Sequence, residues 1–188
     1  MTSADQAVPP ARSALRRQLL SRRNALDPAQ KEAWDAAIRR QVLAWHDAAQ
    51  VATLGVYWPI HSEPDLQAAY AALAARGVQL ALPVVIDRES PLKFAHWAPG
   101  EAVRAGAFGV PVPAVLAWTQ PQALLLPCLG FSPARLRLGY GGGFYDRTLA
   151  IAPRPATIGV AYGCTRIEFE PTPHDVALDR IVTEDAFW

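Results

Sequence analysis

Apolar positions in this chain recur first with a helical period and then in short continuous runs, and the change of period predicts the order of elements. Between residues 11 and 25, Leu15, Leu19 and Leu20 share one face, with Arg12, Arg16, Arg17, Arg22 and Arg23 around it, which predicts an amphipathic helix. Asp27-Pro28 predicts the start of a second helix, Asp27 as N-cap and Pro28 at the first helical position. Trp34, Ile38, Val42 and Trp45 continue it at helical spacing to about His46. Then come apolar runs at 51–59, 78–85, 92–97, 123–131 and 156–163, expected as strands, with a short last one in 179–185. Asp65 is expected to cap a helix running to Ala75, closed by Gly77, and residues 106–113 to form a turn-rich loop.

A strand–helix–strand unit argues for a parallel sheet with right-handed crossovers. The expected fold class is therefore α/β: a single three-layer domain over residues 1–188, with a mostly parallel sheet flanked by helices and an added N-terminal helical pair. Residues 1–10, polar and proline-bearing, are expected to be flexible. No internal repeat or low-complexity tract interrupts the chain.

Composition narrows the function classes. Hydrophobic residues make up 51% and charged ones 19%, which excludes a disordered chain, and no apolar run is long enough to span a bilayer. The N-terminal residues lack the basic-then-apolar order of a secretory signal, so the cytoplasm is the expected location. Cys128 and Cys164 form neither a CxxC pair nor a zinc spacing and read as small core residues. A net charge of +1 supplies no global field for nucleic acid, so neither nucleic acid nor membrane is an expected partner. Arginines without a motif around them, Arg17, Arg22 and Arg23 among them, read as solvated surface charges.

One stretch concentrates candidate chemistry: RLRLGYGGGFYDR, residues 135–147. It follows a buried strand and precedes a helix, where ligands bind in open α/β sheets. Gly139, Gly141, Gly142 and Gly143 leave room for an anion to approach backbone N–H groups. Arg137 and Arg147 flank them with guanidinium forks that match phosphate oxygens, and Asp146 beside such a site is suited to Mg²⁺. Neither a P-loop nor a dinucleotide fingerprint is present. On the residues alone, a flexible hairpin connection with Asp146 as a helix cap stays open beside the phosphate reading.

RLGYGGGFYDR, preceded by LLLPCLGF, closely resembles the signature of the 5-formyltetrahydrofolate cyclo-ligase (5,10-methenyltetrahydrofolate synthetase) family. The likeness continues in Arg12-x-x-Leu15-Arg16, YWPIHSEPDL, FGVPVP and PHDVALDRIVTE, in the family's order. It implies an ATP- and Mg²⁺-dependent ligase, expected as a monomer, that closes 5-formyltetrahydrofolate into 5,10-methenyltetrahydrofolate and releases ADP and phosphate. By position, ATP would be met by Arg12, Arg16, Arg137, Leu138, Gly139, Tyr140, Gly141, Gly142, Gly143, Phe144 and Tyr145. The folate would meet Trp58, Glu63 and Phe108, together with Tyr140, Gly141, Gly142, Gly143 and Phe144. Asp146 and Asp175 would hold the metal, and Arg137, Tyr140 and Asp146 would carry catalysis.

The chain departs from the family pattern at Val112 and Ser132, where the family has acids, at Gly130 and Arg135, and at Arg12 in place of lysine. These departures keep a second class open, a non-catalytic binder of nucleotide or folate. A third, an RNA-binding module, has only the N-terminal arginines in its favour.

Overall fold

The computed structural model describes residues 11–188, so the flexibility expected of residues 1–10 lies outside the described residues. Two helices come first, α1 (Arg12–Asn24) and α2 (Pro28–Ala49). Asp27 caps α2 as its sequence predicts: its Oδ1 accepts the N–H groups of Ala29 at 2.9 Å and Gln30 at 3.1 Å. The helix outruns His46 and ends where Gln50 turns left-handed. Ile38 and Val42 of α2 are fully buried, while Trp34 and Trp45 only flank the core.

The chain continues through β1 (Thr53–Gly55), α3 (Gln67–Ala75), β2 (Gln79–Val84), β3 (Lys93–His96), β4 (Val103–Ala105), β5 (Pro111–Pro113) and β6 (Trp118–Thr119). It ends with β7 (Ala123–Pro127), β8 (Gly130–Phe131), β9 (Arg137–Leu138), α4 (Phe144–Leu149), β10 (Ala156–Val160) and β11 (Arg180–Val182). A seven-stranded sheet has the order β11-β10-β7-β1-β2-β3-β6. From β11 to β2 every neighbour is parallel; β3 pairs antiparallel with β2, and β6 antiparallel with β3. The α/β class with a mostly parallel sheet is thus observed.

Strand alternation separates two cores. Leu125, Leu54, Leu80 and Ile158 face the α2–α3 layer with Ile38, Val42 and Leu73. Leu124 and Leu126 face the opposite layer with Phe94, Leu149 and Ile181. Among the described residues no helix is long and apolar enough to cross a membrane.

Several boundaries differ from expectation for local reasons. Residues 106–113 lie within a hairpin, β4 against β5, whose tip is a 3-10 turn at Ala107–Gly109; its Gly and Pro content conceals the pairing. The run at 123–131 is not one strand. It leaves the main sheet after Pro127, and Gly130–Phe131 instead pair with Arg137–Leu138. Gly130 is needed there, since a Cβ would lie 2.6 Å from Leu19 Cδ1 of α1. Its bareness lets α1 dock through Leu15 and Leu19 onto Leu129 and Leu138.

Helix α2 is tied to the sheet by a buried polar contact. Tyr162 Oη donates to Asp35 Oδ1 at 2.5 Å, and Lys31 Nζ donates to Asp35 Oδ2 at 2.6 Å. Asp35 is 1% exposed, so loss of the phenol leaves a buried carboxylate oxygen short of a donor. Tyr162→Phe is expected to lower the unfolding free energy by about 1.5–3 kcal/mol in urea denaturation, with an unchanged m-value.

Candidate active site

Beyond the carboxyl ends of β1, β2 and β7 lies a cavity of about 690 Å³. Its floor includes Tyr57, Pro83 and Pro127 from those strand ends. Its roof is the glycine loop between β9 and α4, and one side is the arginine face of α1.

The glycine loop is shaped by its backbone angles. Gly141 has φ +99° and Gly143 has φ +66°, conformations that L side chains rarely adopt. Gly139 matters for space instead. A Cβ there would lie 2.4 Å from Arg137 Nη1, so its bareness makes room for that guanidinium. Arg137 then stacks 5.0 Å from the Tyr145 ring centroid and reaches Asp146 Oδ1 at 3.5 Å. Helix α4 has only six residues, so the positive field at the loop comes from arginines more than from a helix dipole.

Helix α1 supplies several of those arginines. Arg16 Nε donates to Gly139 O at 2.8 Å, which fixes the start of the loop. Arg12 donates through both Nη atoms to Asp175, at 3.0 Å to Oδ1 and in a shorter contact to Oδ2, and also to Glu170 O at 2.7 Å. Burial alone would raise the Asp175 carboxyl, but the Arg12 hydrogen bonds and the Thr172 N–H outweigh it and hold the group below its ordinary value. Asp175 is therefore engaged by a cation, whereas Asp146 has one long contact and is a quarter exposed.

On the opposite wall sits Glu63, 2% exposed, at the end of a turn in which His61 (φ 48°) and Ser62 (φ 58°) are both left-handed. Its Oε2 accepts the Ile60 N–H at 3.0 Å and its Oε1 accepts the Tyr140 hydroxyl at 2.8 Å. Burial raises the Glu63 carboxyl above its ordinary value; the hydrogen bonds from Ile60 and Tyr140, and the charges of Arg23 and Arg137, offset only part of this. Burial, then the charge of Glu63, likewise pushes the Tyr140 phenol well above its usual value, so it remains a proton donor.

Trp58 lines the cavity and packs edge-on against Trp97, with centroids 5.8 Å apart. Phe108, at φ +56° on the tip of the β4–β5 hairpin, is largely exposed and meets Phe144, the first residue of α4, at 5.6 Å between ring centroids. Every site residue that the family resemblance implies lines this one cavity except Leu138, whose side chain is fully buried under α1 with Leu15, Leu19 and Leu129. His61, Arg88 and His174 line it as well. His61 and His174 lie in the family-like segments YWPIHSEPDL and PHDVALDRIVTE, while nothing in the sequence context of Arg88 marks it.

Two arginines differ from their expected places. Arg147 does not face the cavity as a phosphate fork. It donates to the carbonyls of Ser90 at 3.3 Å, Arg88 at 2.9 Å and Gly142 at 3.0 Å, which binds the loop to its neighbour. Arg23, expected as a solvated charge, is 1% exposed and donates to Tyr140 Oη. Helical phase is the signal for it: eleven residues after Arg12, it returns to the same helix face after three turns.

The departures from the family pattern separate by location. Ser132 Oγ accepts the Leu136 N–H at 3.2 Å, and Arg135 takes φ 58° in the same turn, its Nε donating to Leu178 O at 3.0 Å. These two and Gly130 build the β8–β9 hairpin and do not line the cavity. Val112 does line it, as a buried apolar wall.

A family model of 5-formyltetrahydrofolate cyclo-ligases matches residues 8–184. The 5-formyltetrahydrofolate cyclo-ligase of Mycolicibacterium smegmatis is 32% identical over 188 residues, covering 93% of this chain and 94% of that protein. The Escherichia coli K12 protein of the same name is 27% identical over 176 residues, 89% of this chain and 97% of its own. Among solved structures, a 5,10-methenyltetrahydrofolate synthetase from Mycoplasma pneumoniae superposes with a TM-score of 0.79 at 25% identity, covering 93% of this chain and 99% of that one. The Aquifex aeolicus 5,10-methenyltetrahydrofolate synthetase, at 24% identity and a TM-score of 0.80 over 94% of this chain and 91% of its own, shares the fold.

The raised Glu63 carboxyl has a consequence for stability that is independent of any ligand. Between the unperturbed value of 4.5 and the higher folded value, the folded state binds more protons than the unfolded one, so stability falls as pH rises through that window. Glu63→Gln removes this dependence. The unfolding free energy of wild type relative to Glu63→Gln is expected to decline above pH 4.5 and then level off, as followed by chemical denaturation across pH.

Proposed function

The chain belongs to the 5-formyltetrahydrofolate cyclo-ligase family, and on that premise we propose that it closes 5-formyltetrahydrofolate to 5,10-methenyltetrahydrofolate, using ATP and Mg²⁺ and releasing ADP and phosphate. The observation that carries this reading is the opposition, across one cavity, of an arginine-edged glycine loop and the buried carboxylate of Glu63. The first suits a polyanion and the second suits a ring edge rich in N–H donors.

A formamide carbonyl is a poor electrophile, and its oxygen leaves badly. In the proposed sequence the formyl oxygen attacks the terminal phosphorus of ATP, the bond to ADP breaks, and the N5 lone pair delocalises into an iminium-like phosphate ester. N10 then attacks the formyl carbon, loses its proton, and the C–O bond to phosphate breaks. No nucleophilic side chain is required. Arg137 and Arg16, at the loop, stabilise the charge on the transferring phosphoryl group, and the loop's bare backbone allows close approach. Glu63 holds the pterin by accepting from its ring N–H and amino groups, with Tyr140 donating to the carboxylate behind it. Trp58 and Phe108 form the apolar walls of the same slot.

Mg²⁺ takes oxygen ligands and keeps several waters, so one or two carboxylates beside phosphates suffice. Asp146 fits this role as it stands, and Asp175 fits it once parted from Arg12, which is then free for phosphate. When bound, the ion neutralises charge on the phosphate oxygens. In this reading the enzyme acts in the cytoplasm as a monomer.

Incubation with 5-formyltetrahydrofolate, ATP and Mg²⁺ is expected to produce the near-ultraviolet absorbance of the methenyl product with one ADP per turnover. Arg137→Ala and Asp146→Ala are each expected to lower kcat by about 10²–10³, the usual cost of losing one positioned charge at a transition state. Wild-type rates in both variants would remove these site assignments. Calorimetric binding of either substrate without ADP release would instead support the non-catalytic reading.

A further inference from the structure

Arg23 is 1% exposed, far from the surface role its composition suggested. Its Nε donates to His61 O at 2.9 Å and one Nη donates to the Tyr140 hydroxyl oxygen. The other Nη is buried without a hydrogen-bond partner among the described residues. Burying a guanidinium is costly, and leaving one of its donors unmet adds to the cost. Leu19, one turn earlier on α1, is held by apolar packing, which would serve equally well for simple docking. The cation at this depth therefore calls for a reason other than packing.

Hydrogen-bond chemistry supplies one. A guanidinium has donors and no acceptor. In its contact with Arg23, the Tyr140 oxygen must accept, so the single phenolic proton is committed elsewhere. The partner is Glu63 Oε1, at 2.8 Å. The chain Arg23 to Tyr140 to Glu63 thus runs in one direction and joins α1, the glycine loop and the turn after β1. We infer that Arg23 is a positioning residue for folate recognition: it commits the Tyr140 proton to Glu63 and so presents that carboxylate as an acceptor toward the N–H donors of the pterin ring. The inference rests on the proposed contact between Glu63 and the folate.

The surroundings of Glu63 make this arrangement consequential. Its neighbours are the phenols of Tyr57, Tyr70, Tyr140 and Tyr145, the Cys128 thiol, and two cations, Arg23 from α1 and Arg137 from β9. The His61 ring lies 5.5 Å from that of Tyr140. Burial opposes the charged carboxylate, and the arginines favour it. Removing Arg23 weakens this support and frees the Tyr140 proton to point away.

The test begins with wild-type turnover; no turnover and no calorimetric binding of 5-formyltetrahydrofolate would overturn the functional reading itself. Given turnover, Arg23→Gln is expected to raise the KM for 5-formyltetrahydrofolate about tenfold, to leave the KM for ATP within about twofold, and to move the acid limb of kcat/KM for the folate to higher pH. Arg23→Lys, which keeps a cation, is expected to recover part of both effects. In a Glu63→Gln background, Arg23→Gln is expected to add nothing further to the folate KM, because the group it positions is gone. An equal rise in both KM values, an unmoved pH limb, or full additivity with Glu63→Gln would overturn the inference and leave Arg23 a structural support of the loop. Should Arg23→Gln fail to fold by circular dichroism, Tyr140→Phe carries the same test, since it breaks the chain one step later. A Tyr140→Phe folate KM or acid limb identical to wild type would then overturn the inference.

Discussion

A glycine loop orders itself poorly, because each residue loses more backbone freedom than any other type on folding. Here the loop is held by arginines that donate into it: Arg16 to Gly139, Arg147 to Gly142 and Arg23 to the Tyr140 hydroxyl. Without those donors the β9–α4 connection would be a loose hairpin link, which is the reading its sequence alone leaves open. Helix α1 is therefore part of the site. It can reach the loop because Gly130 leaves space for Leu19 and because Leu138 turns inward to meet Leu15.

Charge is divided between two ends of one cavity. At the loop end, Arg12, Arg16 and Arg137 sit with Asp146 and Asp175, and the ion pair between Arg12 and Asp175 helps hold that carboxyl below its ordinary value. At the other end, Glu63 is in the opposite condition, raised by burial and supported by cations at a distance. An anion entering the first end and a donor-rich ring entering the second would each find its complement. The apolar walls between them, from Trp58, Phe108 and Val112, lower the local dielectric and so strengthen both interactions.

What can be read from the sequence follows from how local its cause is. The cap at Asp27 and the stripe of Ile38 and Val42 are local, and both stand where expected. The parallel strands are legible because burial on both faces makes them continuously apolar. By contrast, β6 is two residues long and β5 carries two prolines, so neither has a pattern to find. The site is legible only in part by chemistry. The glycine loop announces itself, but Glu63 is brought to Tyr140 from 77 residues away, and only the family resemblance points to it. Arg23 escapes a reading that weighs charge before helical phase. Arg147 misleads because a guanidinium beside a glycine loop has carbonyls as well as phosphates to satisfy.

The same locality bears on where this chain departs from its family pattern. Ser132 keeps a side-chain acceptor for the Leu136 N–H, the service an Asp performs in such a turn, and Arg135 accepts the left-handed angle that a glycine would take freely. Those changes preserve a hairpin and leave the cavity untouched. Val112 differs in kind, since it replaces a carboxylate with a methyl-lined wall at the base of the hairpin that carries Phe108. A carboxylate there would be buried beside Val84 and Ala95 and would need a hydrogen-bonding or charged partner to offset its burial. Of the departures, two line the cavity: Val112 on the side of the hairpin that carries Phe108, and Arg12, which keeps the cation, at the arginine end. The arginine-bound loop, on which the proposed phosphate chemistry would depend, keeps its four glycines.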